Sequence, residues 1–385
     1  MQLFKIKLLQ LVKNRNKNTL PKILCIIQLP PPVHGVSLMN SYLINSEIIN
    51  RNFSMQVVNL QFAKSMDELG IFSFKKILKS FMYGLEIVKK VRTYKPGLIY
   101  FTINPTGFAF YRDVYYVFLL KLCNKHIVYH LHGKGIKKNA ESNFFKKQIY
   151  KWVFKNTDVI CLSERLTADI DKIYKCKPFI VPNGIEVQPR FNRERERVDS
   201  SVPQILCISN YTRNKGILEL VEALAILKNH GYNFIARFVG APFDLTVEMI
   251  EEVVNKLDLT RFVKIVGPLY GDDKFKEYQL ADIFVFPTYN DVFGLVNLEA
   301  MQYALPVIST FEGSIPDIVI DNETGFLVET QNAQMLADKI ALLLKDKNKR
   351  IEMGKKGYER FMNNYTLDHF ITNINNTFHN ILISN

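Results

Sequence analysis

The stretch ADIFVFPTYNDVFGLVNLEAMQYALPVIST, Ala281–Thr310, decides the fold. Ile283–Pro287 is a short, continuous apolar run of the kind that forms a strand buried on both faces. A polar turn through Tyr289, Asn290 and Asp291 follows. From Phe293 the apolar residues take up helical spacing, and Pro306–Ser309 then reads as a second buried strand. Strand, loop, helix and strand in this order build a parallel sheet, because parallel neighbours require a crossover, usually helical.

The alternation continues outward in both directions. Downstream of residue 203, strands are expected at Gln204–Ser209, Asn233–Val239, Val263–Val266 and Phe326–Val328, with helices beginning near Ile217, Thr246, Asp273, Phe293 and Ala333. Upstream, strands are expected at Lys22–Leu29, Met55–Leu60, Leu98–Thr102, His126–His130, Val159–Leu162 and Pro178–Val181. Helices are expected at Ser37–Ile48, Phe72–Val91, Tyr111–Cys123, Asn143–Phe154 and Ser163–Tyr174. A charge-dense stretch, Glu186–Val202, separates the two series and reads as a linker. With 385 residues the chain exceeds what one core usually supports. The fold class is therefore α/β, with two Rossmann-like, doubly wound domains facing across a cleft. Ligands are expected beyond the carboxyl ends of the strands. The boundaries are 1–186 for the first domain, joined by a C-terminal helix at about 366–385, and 187–365 for the second.

Composition narrows the function. Five cysteines without a CxxC pair give neither a disulfide framework nor a zinc site, and they read as thiols of a reducing cytosol. No apolar run is long enough to span a bilayer, and the start of the chain makes a poor signal peptide. Charge is unevenly placed. Residues 1–185 carry 29 Lys+Arg against 10 Asp+Glu, whereas residues 186–385 carry 21 against 27. The first half is thus expected to face something anionic, a membrane surface or a phosphorylated acceptor. Nucleic acid is excluded as a partner by the absence of zinc-finger spacing, an RNP-like signature or an Arg-rich recognition helix.

Two segments of the second half carry chemistry. Asp291 and Glu299 frame DVFGLVNLE across the strand–helix junction, with Gly294 and Leu295 at the helix start, where exposed N–H groups meet phosphate or sugar oxygens. The alternative for Asp291 is a cap of that helix. ISNYTRNKG, Ile208–Gly216, runs from a strand end into an amphipathic helix and offers Arg213 and Lys215 to an anion. In the first half, PPPVHGVS (Pro30–Ser37) places His34 and Gly35 between strand and helix, and HLHGK (His130–Lys134) follows another strand. Strand alternation puts His130 and His132 on one face; His132 lies nearer the carboxyl end, and His130 reads as a packed core residue.

Together these segments resemble family 4 of the retaining nucleotide-sugar glycosyltransferases, over most of residues 22–365. VPNGI (Val181–Ile185) and GSIPD (Gly313–Asp317) fit the same pattern. The resemblance implies the GT-B fold and a metal-independent reaction in which a nucleoside diphosphate sugar, of UDP or GDP type, is the co-substrate and no cofactor is held. By this resemblance Glu299 holds ribose hydroxyls, Asp291 meets the donor sugar, and Lys215 grips the diphosphate together with Arg213. Arg213 stands in for the arginine that the family has where this chain has Asn210, itself placed on the donor side. Asp291 also departs from the family's Glu by one methylene. Gly35, Gly294 and Leu295 are placed at the donor and His132 at the reacting sugar. His34, Gly133, Lys134 and Arg112 are placed on the acceptor side, with a glycan or lipid-linked acceptor. A cytoplasmic location, peripheral on the cytoplasmic membrane face, follows. A non-hydrolysing nucleotide-sugar epimerase and a catalytically degenerate nucleotide-binding subunit are the alternatives.

Overall fold

The computed structural model describes residues 20–62, 74–188 and 202–384. The basic N-terminal segment and most of the linker, residues 189–201, lie outside the described residues. The chain divides into two compact units: residues 1–161, 169–179 and 371–385 form the first, and residues 162–168 and 180–370 the second.

The first unit is built on a parallel sheet of β1 (Lys22–Ile27), β2 (Ser54–Asn59), β3 (Leu98–Phe101), β4 (Ile127–Leu131), β5 (Asp158–Cys161) and β6 (Phe179–Ile180), in the order β2-β1-β3-β4-β5-β6. β1, β3 and β4 carry almost nothing but buried residues, as strands covered by helices on both faces must. Strand order reverses between β1 and β3. The loops after these two strands and after the neighbouring β4 therefore lie at the crevice where doubly wound sheets take ligands.

The second unit holds β7 (Gln204–Ile208), β8 (Ile235–Val239), β9 (Val263–Gly267), β10 (Ile283–Phe286), β11 (Val307–Thr310) and β12 (Gly325–Val328), all parallel, in the order β12-β11-β10-β7-β8-β9. Its switch point lies between β7 and β10, where Ile205 is paired with Ile283. The loops leaving these strands are bonded together. Asn214 O accepts from Thr288 Oγ1 at 3.0 Å and from Tyr289 N at 3.0 Å. Gly216 closes the junction: its φ is +72°, and a Cβ there would stand 2.1 Å from Pro287 O.

Two boundaries differ from the sequence expectation. Ser163–Tyr174 is not one helix; it contains only a 3-10 turn at Arg165–Asp169. The stretch changes unit within itself, so no single apolar face runs along it: Leu162 and Leu166 pack in the second unit's core, while residues 169–179 belong to the first. Residues 180–186 likewise sit with the second unit, because Ile185 joins that core and bonds through its N–H to Tyr365 O at 3.0 Å. The last helix, Leu367–Ser384, starts in the second unit and returns to the first, where Phe378 packs edge-on against Phe53 and Tyr100.

The Gly216 contact generates a test. Gly231 has a similar φ of +78° with nothing within 4 Å of its missing Cβ. Gly231→Ala is expected to cost about 1 kcal/mol for the left-handed backbone alone, and Gly216→Ala at least twice that. Urea unfolding of the second unit's transition measures both; equal shifts would mean that the junction carries no stability.

Candidate functional site

Asp291 organises the second unit's switch point. Its Oδ1 accepts from the backbone N–H groups of Val292, Phe293 and Gly294 at 2.8, 3.1 and 2.8 Å, and its Oδ2 accepts from Lys215 Nζ at 2.6 Å. A short side chain suits this duty, since Asp reaches N–H groups one to three residues ahead of itself. The helix itself is Leu295–Gln302, beginning two residues later than Phe293, with Gly294 at its N-cap and φ +74°. Asp291 thus caps the turn before the helix. Oδ1 is saturated by three donors, while Oδ2 keeps capacity for another.

Lys215 ends a 3-10 turn, Arg213–Lys215, and is held on three sides: by Asp291, by Asn290 O at 3.4 Å, and by the face of Phe286, 5.4 Å from its ring centroid. Arg213 is exposed, and its backbone N–H is fixed by Asp244 Oδ1 at 2.9 Å. Asn210 is exposed on the same loop.

Glu299 follows on the same helix, five residues beyond Gly294, roughly 7 Å along the axis. Oε1 accepts from Lys274 Nζ at 2.7 Å and Oε2 from Tyr278 OH at 2.7 Å. Both partners lie on helix Gly271–Leu280, which Arg237 on β8 anchors through a bidentate pair with the buried Glu277 at 2.5 and 2.6 Å. Burial and the neighbouring carboxylate push the Tyr278 phenol well above its ordinary value, so it stays a donor. The sequence reading missed Lys274, Tyr278 and Arg237. The i, i+4 spacing of Lys274 and Tyr278 was the available signal. Asn297, wholly buried in the first turn, has neither side-chain polar atom hydrogen-bonded among the described residues, a cost that marks this helix start as built for more than stability.

At the first unit's switch point, His34 caps helix Gly35–Asn45: its Nδ1 accepts from Ser37 N at 3.4 Å, and Ser37 Oγ accepts from His34 N at 2.9 Å. Gly35 is exposed at the first helical position. Burial lowers the His34 pKa. His130 is fully buried and bonded through Nδ1 to Tyr100 OH at 2.7 Å, a packed histidine. His132 lies against it, ring centroids 4.0 Å apart and tilted by 45°, with its Nε2 buried and without a partner among the described residues. Burial, with His34 nearby, pushes the His132 pKa down to about 3. Gly133 approaches Pro105 so closely that a Cβ would stand 2.5 Å from its ring; Lys134 is partly exposed beside it.

Arg112, expected on the acceptor side, has a structural partner in its own neighbour. Its guanidinium grips Asp113 Oδ1 at 2.9 and 2.7 Å and lies 4.3 Å over the Phe62 ring. Asp113 is fully buried, and its Oδ2 accepts from Asn104 N and Nδ2 at 2.9 and 2.8 Å. The pair fixes the loop after β3.

The fold is shared with known proteins. Sucrose-phosphate synthase from Thermosynechococcus elongatus superposes with a TM-score of 0.74 at 20% identity, covering 95% of this chain and 100% of that one. HepE of Anabaena, solved in complex with UDP, gives 0.73 at 17% identity over 94% and 100% of the two chains. This architecture is GT-B. Residues 189–360 match the family described as Glycosyl transferases group 1, and the second unit belongs to it. Among curated relatives, the capsular polysaccharide biosynthesis glycosyltransferase CapM of Staphylococcus aureus is 29% identical over 228 residues, 56% of this chain and 59% of CapM. The chain spans about half to three fifths of the length of the first curated relatives it matches.

Two outcomes follow from this geometry. Arg112→Ala strands the Asp113 carboxylate and is expected to cost about 3 kcal/mol, while the double variant Arg112→Leu with Asp113→Leu recovers most of it in denaturant unfolding. Full stability of Arg112→Ala would contradict this role of the pair. For His132, a folded pKa below the unfolded value of 6.5 means that the unfolded chain binds the extra proton, so stability falls as pH drops from about 6.5 toward 3. Its imidazole proton resonances are expected to show no titration step between pH 5 and 8; a step near 6.5 would contradict the burial.

Proposed function

We propose that the protein is a retaining glycosyltransferase that moves a hexose or related sugar from a nucleoside diphosphate sugar to a glycan or lipid-linked acceptor in cell-surface polysaccharide assembly. The observation that carries this reading is the Lys215–Asp291 pair at the β7–β10 switch point, set against the helix start at Gly294 with Glu299 one turn further along. An ammonium beside a helix N-terminus suits a diphosphate. A carboxylate with spare lone pairs suits a sugar hydroxyl, and a second carboxylate deeper on the same helix suits a ribose. The UDP bound by HepE and the capsular role in CapM's name support the donor class and the pathway.

Catalysis in this reading is electrostatic. As the glycosidic bond breaks, negative charge grows on the departing diphosphate, and Lys215, helped by the exposed Arg213, stabilises it there without a resident metal. The donor phosphate itself takes the proton of the acceptor hydroxyl on the same face, which retains configuration. His132, neutral at physiological pH, is free to hydrogen-bond a sugar through Nε2. The acceptor falls to the basic first unit, at the cytoplasmic face of the membrane.

A thermal-shift screen against UDP, GDP, ADP and CMP, followed by sugar-transfer assays with the donor it names, tests the reading. Lys215→Ala is expected to lower kcat about 100- to 1,000-fold, and Glu299→Ala to raise the donor KM with a smaller change in kcat. No shift with any nucleotide, or consumption of donor that is independent of acceptor, would overturn it.

A further inference from the structure

Helix Phe74–Tyr94 of the first unit turns an apolar stripe the wrong way. Phe74, Ile77, Leu78, Phe81, Met82 and Leu85 follow i, i+3, i+4, i+7, i+8, i+11, which puts them on one face. All six are 50–83% exposed. The face that meets the sheet is a different one, carrying Gly84, Ile87 and Val91. The neighbouring helix, Gly107–Leu122, continues the surface: Tyr115 stacks on Phe81 and closes over Gly84, and Phe118 and Leu122 are exposed beyond it. A groove of about 370 Å³ runs between the two helices, lined by Leu85, Val88, Tyr115 and Leu119 with Lys89 and Arg92 at its rim.

Charge names the occupant. Residues 74–85 contain Lys75, Lys76 and Lys79 and no acidic residue, and the single acid of the helix, Glu86, pairs with Lys90 at 3.0 Å. Lysines flanking an outward apolar stripe are what a helix lying in the headgroup region of an anionic bilayer requires: apolar side chains enter the acyl boundary while the ammonium groups meet lipid phosphates. A second protein chain would be expected to pair those lysines with acids, and among the described residues of the apolar stripe there is none for a like copy to offer. No helix of the described residues is long and apolar enough to span a membrane, so the contact is with its surface.

We propose that helix Phe74–Tyr94, with the outer face of helix Gly107–Leu122, is the element that seats this protein on an anionic lipid surface. The inference gives a place to the membrane attachment in the function proposed above; the vesicle test is independent of turnover, and the nucleotide screen is independent of lipid, so the two fail separately.

The test is co-sedimentation of the full chain with vesicles of phosphatidylcholine alone and with 30% phosphatidylglycerol. Wild type is expected to bind the anionic vesicles at least tenfold better than the neutral ones. Leu78→Glu with Phe81→Glu is expected to lose that binding at least tenfold with an unchanged melting temperature, since both side chains are exposed. Leu8→Glu with Leu11→Glu, in the N-terminal segment, is expected to retain most of it. No binding by wild type, or loss only in the N-terminal variant, would overturn the proposal. So would a concentration-dependent dimer of wild type, in sedimentation without lipid, that the Leu78→Glu, Phe81→Glu variant abolishes.

Discussion

One carboxylate holds the second unit's site together. Asp291 gathers three backbone N–H groups on one oxygen and the Lys215 ammonium on the other. Without it the turn between β10 and its helix would carry orphan donors, and Lys215 would lose the partner that aims it. The loops after β7 and β10 are also joined through Asn214 O, Lys215 Nζ on Asn290 O, and the close approach of Gly216 to Pro287. Positioning of this kind, fixed before ligand arrives, is what an electrostatic mechanism needs, because donors already in place cost no reorganisation when charge develops.

The pairing also explains how a site tolerates Asp where its relatives' pattern has Glu. A longer side chain reaches further toward a sugar, whereas Asp turns back onto its own loop and leaves only Oδ2 outward. In the proposed reading the cost falls on the reach of the sugar contact, not on the frame. Glu299 shows the complementary arrangement: Lys274 and Tyr278 hold one oxygen each, and their helix is itself locked by Arg237 and Glu277. The ribose carboxylate of this reading is thus positioned by partners that no ligand has to displace, since each oxygen keeps a lone pair.

Much of the fold was legible because parallel, two-faced strands announce themselves as continuous apolar runs, and each sheet's switch point falls where motif residues had been noted. Alternation put His130 and His132 on one face, and the structure buries His130 against Tyr100. Partnerships between distant residues were not legible: Lys215 meets Asp291 across 76 positions, and nothing in either segment announces the other. The Arg112–Asp113 pair was not foreseen; the clue was Asp113, an acid on the stripe Phe110, Tyr116, Val117 and Leu120 that the helix buries. The periodicity of Phe72–Val91 predicts a helix and nothing about its orientation. Spacing alone cannot say whether a stripe faces a sheet or leaves it, and here the sheet took a second, smaller face.

The central claim is that the Lys215–Asp291 junction receives a nucleoside diphosphate, and a crystal structure of the protein with the nucleotide selected by the thermal-shift screen tests it most directly. The account predicts a phosphate oxygen within hydrogen-bonding distance of Lys215 Nζ and a ribose hydroxyl on Glu299. A nucleotide bound elsewhere, or bound here with neither contact, would contradict it.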